Sequence, residues 1–262
     1  ITEAEFRFVK QAWDDNLVLV FRGQNISEDD QLRFAQRFGP LGDRKAPPDP
    51  LRDRAEGVRQ VNSKILLVSN IKENGKPIGS FGDGEMWFHH DTSYYPQPHR
   101  ATLLYAMQLT TTGGETRFSN MYEAYNRIPP ALRDRLEGRR VLQIHDYKRR
   151  ERLDLDAIDI SKIRHKEQPL FITHHATGKK ALYISRLMSA RIEGLSREES
   201  EDALNQLFDI SEDPEIIYEH HWRLGDLVVW DNWCSIHARN DFPREEPRLM
   251  RRLTVEGREM VF

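Results

Sequence analysis

The chain has 262 residues, of which 38% are hydrophobic, 31% charged and 10% aromatic, and its formal net charge is −3. This length suits one large domain, and the aromatic content is too high for a disordered chain. The balance of acidic and basic residues argues against a nucleic-acid-binding protein, which usually carries a basic excess or stripe. No apolar run is long enough to cross a bilayer, and the single cysteine excludes an intrachain disulfide. We therefore expect a cytoplasmic globular protein with no nucleic-acid or membrane partner.

The first sixty residues predict a helix, a strand, a second helix and a long loop. Residues 3–14 have the apolar periodicity of a helix, and residues 17–21 form a short β-branched run that is typical of a buried strand. Ser27 is a predicted N-cap with three acidic residues after it, and Gly39-Pro40 ends the second helix. Residues 41–60 are rich in Pro, Asp and Arg and predict a long loop.

Strand-like runs separated by turns dominate the rest of the chain. They cover residues 65–69, 86–90, 101–109, 116–119, 140–145, 181–185, 226–230 and 248–255. Helices are predicted over residues 121–126 and 130–137, and from the capping box at Ser196 to residue 208. The charged residues 148–166 predict a second long loop.

Many short strands with few helices predict a β-sandwich or a jelly roll with helices packed outside. The sequence contains no internal repeat, no low-complexity segment and no linker that would divide it. We therefore predict one domain over residues 1–262.

The first candidate metal ligands lie at the end of the predicted strand over residues 86–90. Side chains alternate between the two faces of a strand, so His89 and Asp91 point the same way and His90 points away. His-x-Asp also occurs by chance in a chain with ten histidines, and a surface pair would need no metal. His237, which follows a buried strand and a turn, offers a second imidazole, although a lone histidine there is usually a core or turn residue.

Two arginines share one face of the predicted strand over residues 248–255. Arg248 and Arg252 are four positions apart, so both side chains point to the same side. Guanidinium groups suit bidentate capture of carboxylates or sulfonates, and this face therefore predicts two anion sites. The alternative is the solvent-facing side of an edge strand. Arg251 falls among the apolar residues of the other face, and we interpret it as exposed at an edge.

These groups suggest one kind of metal centre. Two imidazoles and one carboxylate form a facial triad that leaves three positions of an octahedral Fe(II) open. A 2-oxo acid fills two of them and O2 fills the third. The distal carboxylate of the 2-oxo acid then needs a cation, and Arg248, eleven residues after His237, is expected on the adjacent returning strand.

The order and spacing of these motifs resemble the taurine dioxygenase and 2,4-dichlorophenoxyacetate dioxygenase family of Fe(II)/2-oxoglutarate enzymes. The resemblance covers nearly the whole chain. Its motifs are the strand Val18-Leu19-Val20-Phe21-Arg22, Phe88-His89-His90-Asp91, Thr112-Gly113-Gly114-Glu115-Thr116, Leu182-Tyr183-Ile184-Ser185, Trp230-Asp231-Asn232, His237 and the Arg248/Arg252 pair. It implies a mainly β fold with flanking helices, the double-stranded β-helix or jelly roll. It also implies a dioxygenase that uses Fe(II), 2-oxoglutarate and O2, and that yields succinate and CO2.

The resemblance assigns roles to matching positions. It implies that His89, Asp91 and His237 are the catalytic iron ligands. It implies that Thr116 and Arg248 bind the distal carboxylate of 2-oxoglutarate, although Thr116 by itself is an ordinary strand threonine after a Gly-Gly turn. Because the carboxylate position is filled by Asp91, hydroxylation is expected rather than halogenation.

The same resemblance suggests where the substrate binds. Arg252 falls where the family places the arginine that holds the anionic group of the substrate. Tyr94 is a candidate for the substrate mouth, with an ordinary rim or core residue as the alternative. Trp230 is expected to pack near the site. The substrate class suggested is a small anion: a sulfonate, an aryloxy or other carboxylate, or an amino-acid-like metabolite.

Two alternatives remain at this point. One is a jelly-roll metal-binding protein without 2-oxoglutarate chemistry, such as a cupin, although cupins typically supply three histidines and a glutamate. The other is a non-catalytic binding protein that has kept the fold. The sequence leaves self-association into a homo-oligomer open.

Overall fold

The computed structural model describes residues 1–42, 64–82, 84–145, 155 and 157–262. Most of the loop predicted over residues 41–60, and the first part of the loop predicted over 148–166, lie outside the described residues. Among the helices of the described part, none is both long and apolar enough to span a bilayer.

Five α-helices are present in the described ranges. They are α1 (Glu3–Asn16), α2 (Glu28–Gln36), α3 (Met121–Arg127), α4 (Pro130–Leu136) and α5 (Arg197–Ser211). Capping boxes begin three of them, at Thr2, Ser27 and Ser196, where each side-chain oxygen accepts a hydrogen bond from the third helical N–H. The helix starts predicted at Ser27 and Ser196 are therefore confirmed.

Strands make up most of the remaining regular structure. In chain order they are β1 (Val18–Phe21), β2 (Leu66–Ser69), β3 (Lys72–Glu73), β4 (Lys76–Pro77), β5 (Met86–His89), β6 (Ala101–Gln108), β7 (Thr116–Asn120), β8 (Arg140–Ile144), β9 (His165–Pro169), β10 (Phe171–Thr173), β11 (Lys180–Leu182), β12 (Ser189–Ile192), β13 (Ile217–His220), β14 (Leu227–Asp231), β15 (Ser235–Arg239) and β16 (Leu249–Val255). The strand predicted over 181–185 is shorter than expected, since β11 ends at Leu182.

Two antiparallel sheets form the centre of the molecule. The larger has the order β1-β14-β6-β16-β2, and the smaller has the order β13-β7-β15-β5. Apolar side chains from both sheets form one buried cluster, with Leu104, Trp230 and Met250 from the larger sheet and Phe118 from the smaller. This two-sheet arrangement with helices outside is the predicted jelly roll, and it leaves the inner faces of the sheets to form a site.

Helices cover the outer faces of the core. Trp13 of α1 and Ala35 of α2 pack with Leu103, Leu253 and Val255 on the outer face of the larger sheet. A second and larger cluster joins α3, α4 and α5 to the shorter strands β8, β10, β11 and β12. Burial of these apolar faces is the main stabilising contribution, at about 25 cal/mol per Å² of apolar surface removed from water.

The structure corrects two expectations about the last strand. β16 lies between β6 and β2, so it is not an edge strand. Arg251 is buried at 4% exposure, and its guanidinium donates to Gln31 Oε1 at 2.6 Å and to the carbonyl oxygens of Ile26 and Ser27 at 3.0 Å. The interpretation of Arg251 as exposed is therefore wrong, because α2 and the two residues before it cover this side chain and supply its acceptors.

The expected neighbour relation between His237 and Arg248 is also wrong. His237 is in β15 of the smaller sheet, whereas Arg248 directly precedes β16 of the larger sheet. The two residues therefore come from opposite walls, and both line the cavity between the sheets.

Candidate metal centre and active-site cavity

Three predicted metal ligands meet at one end of the smaller sheet. His89 is the last residue of β5 and pairs directly with His237 of β15. Asp91 lies two residues beyond the strand. The Nε2 atoms of His89 and His237 are each 3.8 Å from Asp91 Oδ1, and the three candidate ligand atoms all lie within 4.8 Å of one another. The structure thus brings together the three residues that the sequence singled out.

The two imidazoles have the protonation state that metal binding needs. His89 Nδ1 is 2.8 Å from the Trp87 carbonyl oxygen, and because a carbonyl only accepts, Nδ1 carries the proton and Nε2 keeps its lone pair. Burial lowers the pKa of His89, and burial followed by the neighbouring His89 ring lowers the pKa of His237. Neutral imidazoles are the ligand form of histidine.

The two oxygens of Asp91 have different surroundings. Oδ1 faces the two imidazoles, while Oδ2 accepts a hydrogen bond from Thr102 Oγ1 at 2.7 Å and pairs with Arg252 Nη2 at 2.5 Å. Burial by itself would raise the pKa of Asp91, but the Arg252 charge, aided by the Thr102 hydrogen bond, holds that pKa well below its ordinary value. Asp91 is therefore a carboxylate with one oxygen held from behind and one directed at the histidines.

This donor set fits Fe(II). It offers two neutral imidazole nitrogens and one ionised carboxylate oxygen from one side, as in the two-histidine, one-carboxylate facial triad of non-haem iron oxygenases. Oδ2 of Asp91 is hydrogen-bonded in the way that ligating carboxylates usually are. His90 points away from the three, with Nδ1 bonded to the Asn232 carbonyl oxygen at 2.8 Å, which confirms the predicted alternation.

A second group in the described part has metal-ligand composition but a different role. His174, Asp231 and Cys234 are buried with their polar atoms close together. The guanidinium of Arg100 contacts both His174 Nε2 and Asp231 Oδ2. Arg100 therefore supplies the positive charge that balances the Asp231 carboxylate, and the group does not fit a metal ion.

A cavity opens beside the three ligands, between the two sheets, and the centre of a water-sized sphere can occupy about 60 Å³ of it. Its described lining consists of Val68, Phe81, Met86, His89, Asp91, Leu104, Thr116, Trp230, His237, Arg239, Arg248 and Arg252. Five of these twelve residues are apolar, and the other seven include three arginines and a single carboxylate, Asp91. Such a concave site, with an apolar surface and several converging basic groups, suits small anionic molecules.

Arg248 is a candidate anion receptor in this cavity. It is 2% exposed, and Nη2 donates a long hydrogen bond to the Gly114 carbonyl oxygen at 3.4 Å. In the described part of the chain, no carboxylate lies within ion-pair distance of Arg248. Burial, and next the charge of Arg239, lower the pKa of Arg248 to about 9. A buried cation without an internal counter-charge favours an anionic ligand.

Two other features noted in the sequence, Thr116 and the Gly-Gly turn, lie near Arg248. Thr116 begins β7, lines the cavity, and accepts a hydrogen bond from Trp222 Nε1 at 3.0 Å. Gly114 has a φ of 74°, and a Cβ at this position would lie 3.2 Å from Arg248 Nε. The Gly-Gly turn noted in the sequence thus gives Arg248 room beside the backbone.

Of the residues predicted to lie near the substrate, Arg252 and Trp230 line the cavity, whereas Tyr94 does not. Arg252 lines the cavity beside Arg248, but it also pairs with Asp91, which the sequence did not indicate. Trp230 packs near the site as expected, with its ring centroid 4.8 Å from that of His237. Tyr94 is 3% exposed and packs against Tyr95 and His145, and it is absent from the described cavity lining.

Sequence reasoning missed two residues that shape the site, Thr102 and Arg239. Thr102 lies in the middle of β6, and its contact with Asp91 depends on a sheet register that no local pattern gives. Arg239 donates from Nη1 to the Phe81 carbonyl oxygen and from Nη2 to the Gly84 carbonyl oxygen, at 2.7 and 2.6 Å. Strand alternation could have found Arg239, since it lies two residues after His237.

Comparisons with known proteins agree with this geometry. The profile of the family described as "Taurine catabolism dioxygenase TauD, TfdA family" matches residues 1–254. Pentalenolactone F synthase of Streptomyces avermitilis is 34% identical, over 97% of this chain and 86% of its own length. The alpha-ketoglutarate-dependent 2,4-dichlorophenoxyacetate dioxygenase of Cupriavidus pinatubonensis is 32% identical, over 96% of this chain and 88% of its own length.

A solved structure agrees as well. The crystal structure of AAD-2 in complex with Mn(II) and N-oxalylglycine superposes with a TM-score of 0.76 at 27% identity, covering 100% of this chain and 90% of that one. The expected cofactors, Fe(II), 2-oxoglutarate and O2, are those of the matched family. The jelly roll, its two-histidine and one-carboxylate cluster, and the profile match over residues 1–254 lead to one conclusion: the chain belongs to the TauD, TfdA family of 2-oxoglutarate-dependent dioxygenases.

Proposed function

We propose that this dioxygenase hydroxylates a small organic anion with an apolar body, and that His89, Asp91 and His237 hold its Fe(II). The convergence of Nε2, Oδ1 and Nε2 within 4.8 Å, at the mouth of an arginine-containing cavity, is the observation that carries this proposal. Bound Fe(II), together with 2-oxoglutarate and O2, supplies the oxidising chemistry that converts a substrate C–H to C–OH while 2-oxoglutarate becomes succinate and CO2.

The other side chains of the cavity bind the co-substrate or orient Asp91. Arg248 and Thr116 bind the distal carboxylate of 2-oxoglutarate, so that the co-substrate lies in one orientation along the cavity. The buried guanidinium supplies charge, and the threonine hydroxyl supplies a hydrogen bond. Thr102 and Arg252 hold Asp91 Oδ2 and leave Oδ1 for the metal.

The substrate class follows from the wall of the cavity. Val68, Met86, Leu104 and Trp230 offer an apolar surface for the body of the substrate. Arg252 offers guanidinium nitrogens in addition to the one that pairs with Asp91, and these can bind a carboxylate or sulfonate. Curated relatives are named for 2,4-dichlorophenoxyacetate and for (S)-phenoxypropionate, and an aryloxy carboxylate is therefore the first substrate to test.

The other assignments concern Tyr94, the oligomeric state, the domain and the location. A substrate contact by Tyr94 stays a prediction, as does self-association. The profile match over residues 1–254 supports a single dioxygenase domain. The near-neutral net charge supports an enzyme that acts on a small molecule rather than on nucleic acid or at a membrane, and a cytoplasmic location stays a prediction.

The cofactor assignment is tested by an anaerobic titration. The metal-free protein receives Fe(II) and then 2-oxoglutarate, and the weak visible absorption that the two give when bound together is recorded. We expect this absorption in the wild type and its loss in His89→Ala and Asp91→Ala. His165→Ala is the matched control, since His165 is exposed and lies outside the cavity.

Absence of this absorption in folded, iron-loaded wild type would contradict the proposal and favour a metal-binding protein without 2-oxoglutarate chemistry. Substrate class is tested separately by succinate formation with a panel of aryloxyacetates, alkyl sulfonates and matched uncharged esters. We expect the carboxylates and sulfonates to stimulate turnover and the esters to do so less. Equal stimulation by the esters would exclude anion recognition.

A further inference from the structure

Asn232, in the turn between β14 and β15, makes hydrogen bonds that the proposed function does not use. Its side chain is fully buried. Its Oδ1 accepts a hydrogen bond from the Asp91 N–H at 2.7 Å, and its Nδ2 donates to the carbonyl oxygens of Asp91 and His99, both at 2.8 Å. One buried amide therefore binds both backbone polar groups of a proposed iron ligand.

Asp91 depends on such a contact because it lies outside the sheet. β5 ends at His89, so the strand's ladder of hydrogen bonds stops before Asp91. The next residue, Thr92, has a φ of 59°, a left-handed conformation that is rare for a β-branched side chain. His99 closes the loop, since its N–H donates to Thr92 Oγ1 at 2.9 Å. Side chains rather than a strand thus fix the backbone that carries the carboxylate.

The same turn also leads into the strand that carries His237. Asp231 Oδ1 accepts hydrogen bonds from the N–H groups of Trp233 and Cys234 at 2.8 and 2.9 Å, and its Oδ2 pairs with buried Arg100. These bonds fix the shape of the turn from which β15 starts. Asn232 therefore connects the backbone of Asp91 to the same rigid turn that sets the start of the His237 strand.

We propose that Asn232 is a positioning residue of the metal site, which sets the spacing between Asp91 and His237 through the Asp91 backbone. The inference rests on the proposed function, because it takes these residues as metal ligands. Partners that orient metal ligands typically contribute roughly 10- to 100-fold to metal affinity. Replacement of Asn232 should therefore weaken metal binding by an amount in this range.

The test compares Mn(II) affinity, measured by EPR of the free ion, in the metal-free wild type and in Asn232→Asp and Asn232→Ala. Asn232→Asp keeps the volume and the acceptor but turns an oxygen toward the carbonyls of Asp91 and His99. We expect both variants to raise the Kd for Mn(II) roughly 10-fold or more. We also expect the absorption spectrum of the Co(II)-saturated protein to change, which a loss of global stability alone would not produce.

Asn120→Ala is the matched control. The Asn120 side chain also binds two backbone N–H groups, those of Tyr122 and Glu123, but at the start of α3 and outside the cavity. This variant should show a lower Tm and keep the wild-type Kd for Mn(II). An equal rise in Kd in Asn120→Ala would overturn the inference, because it would show an effect of stability.

The remaining outcomes separate this inference from the proposed function. A folded Asn232→Asp protein with wild-type Mn(II) affinity and an unchanged Co(II) spectrum would overturn the inference and leave the proposed function intact. Failure of the wild type to bind Mn(II) would overturn the proposed function, and the inference with it. If Asn232→Ala does not fold, the Mn(II) affinity and Co(II) spectrum of the isosteric variant Asn232→Asp test the inference.

Discussion

Arg248 and Arg252 lie on the same side of one strand segment, yet they are in opposite electrostatic situations. Arg252 pairs with Asp91 Oδ2 at 2.5 Å, inside the proposed metal site. Arg248 is 2% exposed, and in the part of the chain that the structure describes it faces no carboxylate at ion-pair distance. The two arginines are only four positions apart in sequence. The counter-charge of Arg252 belongs to the protein, whereas the counter-charge of Arg248 must come from a ligand.

This difference changes the roles that the motif alone suggested. From the sequence, each arginine was expected to bind one external anion. The structure gives Arg252 an internal partner, so its charge supports a metal ligand before any substrate is present. Buried charges are stable when paired, and the need for a ligand anion is therefore greater at Arg248. The two ends of the cavity should respond differently to mutation, and this is testable.

Arg248→Ala is expected to have the largest effect. Removal of one partner of a buried charge pair costs about 2–5 kcal/mol, so the Kd for 2-oxoglutarate should rise by roughly 30-fold or more. The affinity for metal should stay at the wild-type value, since Arg248 makes no hydrogen bond to Asp91 in the described structure. Anaerobic titration of the Fe(II)-loaded protein with 2-oxoglutarate measures the first quantity, and Mn(II) binding measures the second.

Arg248→Lys serves as the control for charge. Lysine keeps the charge but lacks the planar fork of guanidinium, so partial recovery of 2-oxoglutarate affinity is expected. If Arg248→Ala weakens Mn(II) binding as strongly as 2-oxoglutarate binding, the two ends of the cavity are not independent. The proposed difference between the roles of Arg248 and Arg252 would then be wrong.

Arg252→Ala is expected to reverse this pattern. Loss of the partner of Asp91 Oδ2 should weaken Mn(II) binding by roughly 10-fold, the lower end of the range for groups that orient metal ligands. The Kd for 2-oxoglutarate at saturating metal should change little, while the KM of an anionic substrate should rise. Unchanged Mn(II) affinity, with the substrate KM raised, would assign Arg252 to the substrate alone.

Gly114→Ala should weaken the Arg248 end by less. At a φ of 74°, alanine is strained by about 1–2 kcal/mol, and its Cβ would lie 3.2 Å from Arg248 Nε. We expect a lower Tm and a several-fold higher Kd for 2-oxoglutarate. Gly138→Ala is the matched control, because Gly138 has a φ of 72° with open space around a Cβ, so its Tm should fall without a change in Kd. Equal Kd values in the two variants would exclude the contact with Arg248.

Much of this comparison could be predicted from the sequence, because it rests on strand alternation. Alternation placed His89 and Asp91 on one side and His90 on the other, and it placed Arg248 beside Arg252. These predictions needed no knowledge of partner strands. The alternation of the predicted strand gave the correct side for each of these side chains, although Asp91 and Arg248 lie just outside β5 and β16.

Predictions that depended on strand order failed or could not be made. Arg251 was interpreted as exposed because its acceptors, which lie in α2 and just before it, are distant in sequence. Asn232 was noted as part of a motif without a role, since its partner Asp91 is 141 residues away along the chain. Such contacts depend on which strands and turns are neighbours, and the local sequence pattern does not contain that information.

Thr102→Val is expected to have the smallest effect. It measures how much the Thr102 hydroxyl contributes to orienting Asp91, compared with the Arg252 guanidinium. Valine keeps the shape of this buried side chain but removes the hydroxyl that donates to Asp91 Oδ2 at 2.7 Å. Because Arg252 still holds the same oxygen, we expect a loss of about 1 kcal/mol, or roughly 5-fold in Mn(II) affinity. Thr254→Val is the control, since Thr254 pairs across from Thr102 in β16 but makes no described hydrogen bond to Asp91. A loss larger than that of Arg252→Ala would mean that the hydroxyl, rather than the guanidinium, orients the carboxylate, and would reverse the order of the two contacts.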